Sequence, residues 1–431
     1  MLRLLIAFLA SSTIALIALA HIALAQPVTI QYWHINTEAF GLPALRELIR
    51  RFESQNPNIK VEERFHANAY TGLLQNLQAA LAAGNPPDVV QMGYLYIRYA
   101  AENFPFVSAE ELDRRYTGGR WLKRYPSNIQ ELGMVDGRMV AVPYSLSNIV
   151  TYYNADLFRQ AGLDPDRPPA TWEGWRRAAE AIKARTGKYG FYLILLDDNW
   201  AIEALIRSNG GRLLVCEGGY YRAGVDSPQA VEALAMWADM VQRGLALGSP
   251  LQQGEQAFLA GESAAFMTTI ARRAGLEAQT KGRFELRGAR FPTFGGKRPA
   301  LPGGGNVLMV FSKDPKRQEA AWRFIQYLTS PEGFTLWTKG TGYVPLLPEL
   351  AQDPRYLRDF IQQNPIQNVA LDQLPFTVPW TSFPGKDGLA ASQALFRATQ
   401  KALSGQASAE AALKDAAQEI NRLLGGEPCS E

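Results

Sequence analysis

Val28-Thr29-Ile30-Gln31-Tyr32-Trp33 alternates its side chains in the manner of a strand, and the elements next to it in the chain decide the fold. Leu42, Leu45, Leu48, Ile49 and Phe52 fall at helical spacing before Asn56-Pro57 stops the run. Ile59-Lys60-Val61-Glu62 reads as a second strand. Leu73, Leu74, Leu77 and Leu81 mark a second helix, ended by Gly84-Asn85-Pro86-Pro87, and Asp88-Val89-Val90-Gln91-Met92 is a third strand. Strand, helix, strand, helix, strand with short connections predicts a mostly parallel α/β sheet flanked by helices.

Downstream the pattern repeats in a second α/β unit. Thr171 follows Pro168-Pro169 as the expected N-cap of a helix to Ala184, and Gly190 to Leu196 reads as a buried strand. Helical runs at Ile202–Ser208, Ser227–Arg243 and Glu255–Ala260 precede a strand at Ala264–Thr268. After Gly303-Gly304-Gly305 come a strand (Val307–Phe311), a helix (Gln318–Leu328) and a largely helical tail from Ala390 to Leu424. A chain of 431 residues is too long for one ordinary core, so two domains are expected.

Upstream, Met1-Leu2-Arg3 leads into an apolar run to Ala25, with small residues at Ala23 and Ala25. This reads as a signal peptide over 1–25, cleaved before Gln26, with an uncleaved anchor as the other reading. The expectation is a periplasmic or extracellular protein. Cys216 and Cys429 would then meet an oxidising compartment; a disulfide between them and a buried Cys216 with a loose tail thiol both remain open.

Composition removes several functions. Lys+Arg 44 against Asp+Glu 41 gives +3, too balanced for a nucleic-acid footprint. Three histidines, one of them His21 in the leader, exclude a multi-histidine metal centre and leave few ways to build a Ser-His-Asp triad. Gly295-Gly296-Lys297 lacks the Ser or Thr of a P-loop, and no dinucleotide fingerprint follows the first strand. Asp197-Asp198 reads as a solvated turn rather than a glycosidase pair. No cofactor, metal or catalytic residue is expected.

Asp136-Gly137-Arg138-Met139-Val140-Ala141-Val142-Pro143-Tyr144, then Thr151-Tyr152-Tyr153-Asn154-Ala155-Asp156-Leu157-Phe158, continue through Ala161-Gly162-Leu163-Asp164-Pro165 and Pro168-Pro169-Ala170-Thr171-Trp172. With Gly84–Val89, Asn209-Gly210-Gly211, Phe258–Phe266 and Gly342-Tyr343-Val344-Pro345, this composite resembles the extracellular solute-binding proteins of bacterial ABC importers, a large family carrying sugars and glycerol phosphate. The resemblance implies a two-lobed periplasmic-binding-protein fold with the ligand cleft between lobes. Lobe 1 would comprise 26–146 plus about 303–346, and lobe 2 147–302 plus about 347–431. Chain crossings fall near Ser145–Tyr153, Pro299–Gly305 and Tyr343–Glu349. The implied partners are a small polyhydroxylated ligand and the transporter's permease subunits; the protein is expected to be a monomer and no enzyme. A secreted hydrolase with paired carboxylates is the competing reading.

A cleft for polyhydroxylated ligands needs aromatic platforms, short polar groups and backbone amides. Tyr70, Ser147 and Trp200 match ligand-contacting positions of the family; Tyr94 stands where the glycerol-phosphate branch has a carboxylate. Tyr343 lies in the Gly-Tyr-Val-Pro match, and Gly303 and Gly304 would admit backbone amides. Arg272 could reach an anionic group, with Arg273 beside it. Trp33 and His34 are expected beneath the cleft. Where that branch places a phosphate-binding Arg, this chain has Trp380, suited to a sugar face or a choline-like cation, and Lys386 as the only nearby replacement.

Overall fold

The computed structural model describes residues 27–38, 40–195 and 198–429; the apolar leader with His21, and Asp197, lie outside the described residues. Two five-stranded sheets carry the chain. In chain order their strands are β1 (Val28–His34), β2 (Ile59–Phe65), β3 (Val89–Gly93), β4 (Val142–Ser147), β5 (Ile149–Asn154), β6 (Phe191–Leu193), β7 (Ala246–Leu247), β8 (Ala265–Thr269), β9 (Leu286–Ala289) and β10 (Gly304–Val310). The first sheet has the order β2-β1-β3-β10-β4, the second β7-β6-β8-β5-β9.

In each sheet one strand opposes the other four. β10 is antiparallel to β3 and β4, while β1 is parallel to β2 and β3. In the second sheet β5 is antiparallel to β8 and β9, while β6 is parallel to β7 and β8. Connectivity is the reason. β4 leaves the first sheet at Ser147 and, after Asn148 alone, becomes β5 of the second; β9 returns through residues 290–303 to β10. A strand that enters from the other sheet must run away from it, whereas strands fed by helices run toward it.

The motif residues build local structure. Asp136 (φ 48°) and Gly137 (φ 75°) are the left-handed pair of a tight hairpin turn between Met134–Val135 and Arg138–Met139. Asn154 caps the helix Ala155–Gln160 by accepting from the N–H groups of Asp156 and Leu157, and Thr171 caps Trp172–Thr186 by accepting from Gly174. The alternation of β1 distributes its side chains. Tyr32 meets Phe324 of the helix Pro315–Leu328 at 5.2 Å between ring centres. Trp33 turns the other way and packs at 4.2 Å on His66, which Asn76 of the helix Ala69–Ala82 bonds.

Two tertiary fasteners tie the C-terminal segments to the body of the fold. Cys216, in the hairpin Leu214–Glu217/Tyr220–Ala223, is disulfide-bonded to Cys429 with Cα atoms 6.0 Å apart, which decides between the two cysteine readings. The tail is laid along the hairpin by Cys429 N–H to Gly219 O (3.0 Å) and Tyr221 N–H to Glu427 O (2.9 Å). The second fastener is Glu203, wholly buried in the helix Trp200–Ser208. It accepts the Thr381 hydroxyl at 2.7 Å and the Thr381 N–H at 3.0 Å, while Arg207 donates to Pro379 O at 2.8 Å. The strap so anchored, residues 379–386, reaches the segment after β3: the Ser382 hydroxyl donates to Leu95 O (2.7 Å) and Gly385 N–H to a Glu102 carboxylate oxygen (2.9 Å).

The disulfide closes a loop of 213 residues of sequence separation, so its removal in the Cys216→Ser/Cys429→Ser variant should cost about 2–4 kcal/mol in urea unfolding. An unchanged midpoint would show that the tail is held by packing alone. Burial raises the Glu203 carboxyl above its ordinary 4.5, against the pull of Arg207 and the Thr381 bonds. Stability tied to its protonated form is complete below that ordinary value and is lost as pH rises through the raised one. Glu203→Gln, which keeps an acceptor for Thr381 and cannot ionise, should therefore gain in melting temperature relative to the parent between pH 5 and pH 8. A gap that stays constant with pH would refute this.

Candidate ligand-binding site

Strand direction makes the site. The carboxyl ends of β1, β2, β3 and β4 face those of β6 and β8 across a cavity of about 520 Å³, with the start of β10 on its floor. Ligands of open α/β sheets bind outside such strand ends, where side chains converge without interrupting a ladder. Ile35 and Thr37 follow β1, Phe65 ends β2, Gly93 ends β3, Ser147 ends β4, Ile194 follows β6 and Thr269 ends β8; all line the cavity.

Seven aromatic rings of the described residues surround it: Phe40, Phe65, Tyr70, Tyr96, Trp200, Tyr343 and Trp380. Phe65 is 46% exposed, an unusual state for a large apolar side chain and one that leaves its face at the cavity mouth. Tyr70 rests on Gly93, whose Cβ would come within 2.7 Å of the ring. Asn306 Nδ2–H donates to the Tyr70 hydroxyl at 2.9 Å, and the Tyr343 hydroxyl bonds it as well; burial pushes Tyr70 up to about 12, so it stays a neutral donor and acceptor. Tyr343 is held by stacking on Trp337 (5.8 Å, 9° between planes), which stacks in turn on Tyr144. Trp200 donates Nε1–H to Pro302 O at 2.7 Å and faces Trp380 at 5.9 Å. Gly304 exists for that indole: a Cβ there would lie 2.5 Å from Trp200 and 2.7 Å from the Ser147 hydroxyl.

Two charged side chains among the described residues line the cavity, Asp198 and Arg272. Asp198 accepts the Trp200 N–H at 3.0 Å, as a turn residue would; Asp197 lies outside the described residues. Arg272 donates Nη1–H to both carboxylate oxygens of Glu255 at 2.8 Å, so its charge is already matched. The lip beside Tyr70 holds two consecutive non-glycine residues at positive φ, Asn68 (62°) and Ala69 (51°), a conformation sustained by surrounding contacts and frequent at ligand clamps.

Tyr70, Ser147, Trp200, Arg272, Gly304, Tyr343 and Trp380 thus converge on one cavity. Tyr94 and Gly303 do not. Tyr94 opens the 3₁₀ turn Tyr94–Tyr96, whose steps of about 120° per residue send it away while Tyr96 enters the cavity. Tyr94 lines instead an adjoining chamber of about 240 Å³ behind Trp380. Gly303 spends its N–H on Val378 O at 2.9 Å and packs on Leu146. Lys386 is exposed and outside the cavity, so it does not replace the branch's Arg. Arg273 is buried among Gln367, Asn364 and Glu277, rather than solvated. Trp33 and His34 are buried as expected. Phe40, Phe65 and Tyr96 were missed; Phe65 and Tyr96 follow strands predicted from the sequence, and that position was the available signal.

A family model described as bacterial extracellular solute-binding protein matches residues 47–366. The sn-glycerol-3-phosphate-binding periplasmic protein UgpB of Escherichia coli O6:K15:H31 (strain 536 / UPEC) is 26% identical over 398 residues, 85% of this chain and 86% of that one. Among solved structures, UgpB from Mycobacterium tuberculosis in complex with glycerophosphocholine superposes with a TM-score of 0.81 at 23% identity, covering 93% of this chain and 99% of that one. Maltose-bound T. maritima MalE3 gives 0.78 at 23% identity, with 92% and 100% covered. Two sheets joined at a hinge and facing each other across an aromatic cavity agree with the sequence match, and the chain belongs to the bacterial extracellular solute-binding protein family.

Proposed function

We propose that this chain is the exported, monomeric substrate-binding component of an ABC importer. It encloses one small polyhydroxylated solute between its lobes and hands it unaltered to the permease. Tyr70, Tyr96, Phe65 and Gly304 act from lobe 1, and Trp200, Arg272 and Trp380 from lobe 2, with Ser147 and Tyr343 at the crossings. The proposed dissection follows the lobe boundaries implied by the family resemblance. Helices Pro315–Leu328 and Pro331–Thr341 packing on lobe 1, and Gly388–Leu403 and Ala409–Leu424 on the helix Pro228–Gln242, support it.

The solute is neutral or zwitterionic: an oligosaccharide of a few units or a glycerophosphodiester. One observation carries this reading. Seven rings line a cavity whose sole cation among the described lining residues is neutralised by Glu255. A phosphate monoester dianion would bring two charges to a site able to match less than one, at a cost of several kcal/mol. A sugar face stacks on Phe65 or Trp380, and a choline-like cation suits the Trp200–Trp380 pair beside Asp198. Hydrolysis would need two converging acids, and Asp198 is the one carboxylate among the described lining residues.

In a thermal-shift comparison, maltose or glycerophosphocholine should raise the melting temperature more than glycerol 3-phosphate does. The reverse order would remove the neutral-or-zwitterionic assignment. Trp380→Ala and Phe65→Ala leave the packed hinge intact and should each weaken the stabilising ligand roughly tenfold by calorimetry; unchanged affinity in both would move the site elsewhere. Arg272→Gln should cost a phosphodiester more than a sugar, and equal losses would take the guanidinium out of ligand recognition.

A further inference from the structure

Outside the ligand cavity, the face of lobe 1 bearing Trp33 holds a second groove of about 560 Å³. The parallel register sets Trp33 beside Arg64, and the two-residue repeat puts His66 on the same face, beneath the helix Ala69–Ala82. Trp33 and His66 are each 4% exposed, yet Trp33 Nε1 and His66 Nε2 have no hydrogen-bond partner. Buried polar groups are rarely left so, because an unmet N–H costs about 1–3 kcal/mol.

The formal charge of the groove has one sign. The Asn76 amide nitrogen can only donate, and it lies 2.9 Å from His66 Nδ1, so Nδ1 accepts and the ring proton sits on Nε2. Desolvation, with Arg64 and His34 nearby, lowers His66 to about 4, which keeps the ring neutral at pH 7. The Arg64 guanidinium lies 5.3 Å from the Trp33 ring centre and has no carboxylate of the described residues within ion-pair distance. Arg46, Arg50, Arg51 and Arg98 all have one. Glu63, adjacent in sequence, is taken by His34 and Arg46 on the opposite face. Among the described residues, no acidic side chain lines the groove.

We propose that this groove is a second binding site, for a small oxyanion held by Trp33 Nε1–H, His66 Nε2–H and the Arg64 guanidinium. Three donors of distinct geometry, with no carboxylate among the described lining residues, suit a single carboxylate or sulfate-like group, and Arg64 stands beside the Trp33 ring on the exposed side. Phe65 is the wall between this groove and the ligand cavity, since it lines both.

The test is a titration of ¹⁵N-labelled protein at constant ionic strength with sodium sulfate, sodium acetate or sodium chloride, following the Trp33 indole N–H signal. A saturating shift with sulfate or acetate and none with chloride is expected, and the tighter of the two identifies a tetrahedral or a planar anion. Arg64→Gln should weaken it roughly tenfold, the loss of one charge-assisted bond, while Arg272→Gln leaves it unchanged. Asn76→Asp provides a second variant: its carboxylate accepts from Nδ1, moves the ring proton off Nε2 and should abolish the shift. A Trp33 signal that does not saturate with either anion, or that moves equally with chloride, overturns the proposal.

Discussion

Asn148 is the single residue between the last strand of one sheet and the first crossing strand of the other, and the architecture depends on holding it still. Its side-chain amide donates to Ala370 O at 2.9 Å and accepts from Gln373 at 3.0 Å, and its carbonyl takes the Ile270 N–H at 3.1 Å. Gln373 also bonds Ile149 O, and Val344 N–H reaches Leu146 O at 2.8 Å. Two crossings are thereby tied together, and the pairing of Gly304 with Ser147 joins the third to them. Because the chain passes between sheets at Asn148 and again through residues 290–303, β5 and β10 must run against their neighbours, and the remaining strand ends are left pointing at each other across a gap. The cavity follows from connectivity before any side chain is considered.

What fills the walls is a chain of mutual support. Trp200 fits only because position 304 lacks a Cβ, and Trp380 faces Trp200 from a strap pinned by the buried Glu203. That strap also touches Leu95 and Glu102, beyond the end of β3. The segment that carries the Trp380 ring of the cavity wall is therefore also a contact between the two halves of the fold. The Arg272–Glu255 pair sets the electrostatic character in the same economical way: one guanidinium is present, and its charge is already answered.

How far the site was legible depends on which kind of signal carried each residue. Positions at strand ends or in family motifs, such as Ser147, Trp200 and Tyr343, arrive at the cavity because their place in the chain fixes their place in the fold. Tyr94 against Tyr96 turns on a short 3₁₀ turn, whose pitch decides which of two tyrosines faces inward and leaves no mark in residue type. Lys386 and Arg273 exchanged expectations: the lysine is exposed, and the arginine is buried among side chains from a segment about ninety residues away. No local pattern reports such partners.

Alternation, helical spacing, caps and the Asp136-Gly137 turn are interactions among neighbours in the chain, so the sequence alone determined the α/β class, the positions of the elements and the family. The cysteine bond across 213 residues, the matching of Arg272 by Glu255, the anchoring of the strap by Glu203 and the unmet donors around Arg64 join segments that no local rule connects. Only the tertiary structure decided these. Their energies arise when desolvated groups are brought within hydrogen-bond or ion-pair distance, and that distance is a property of the packed chain.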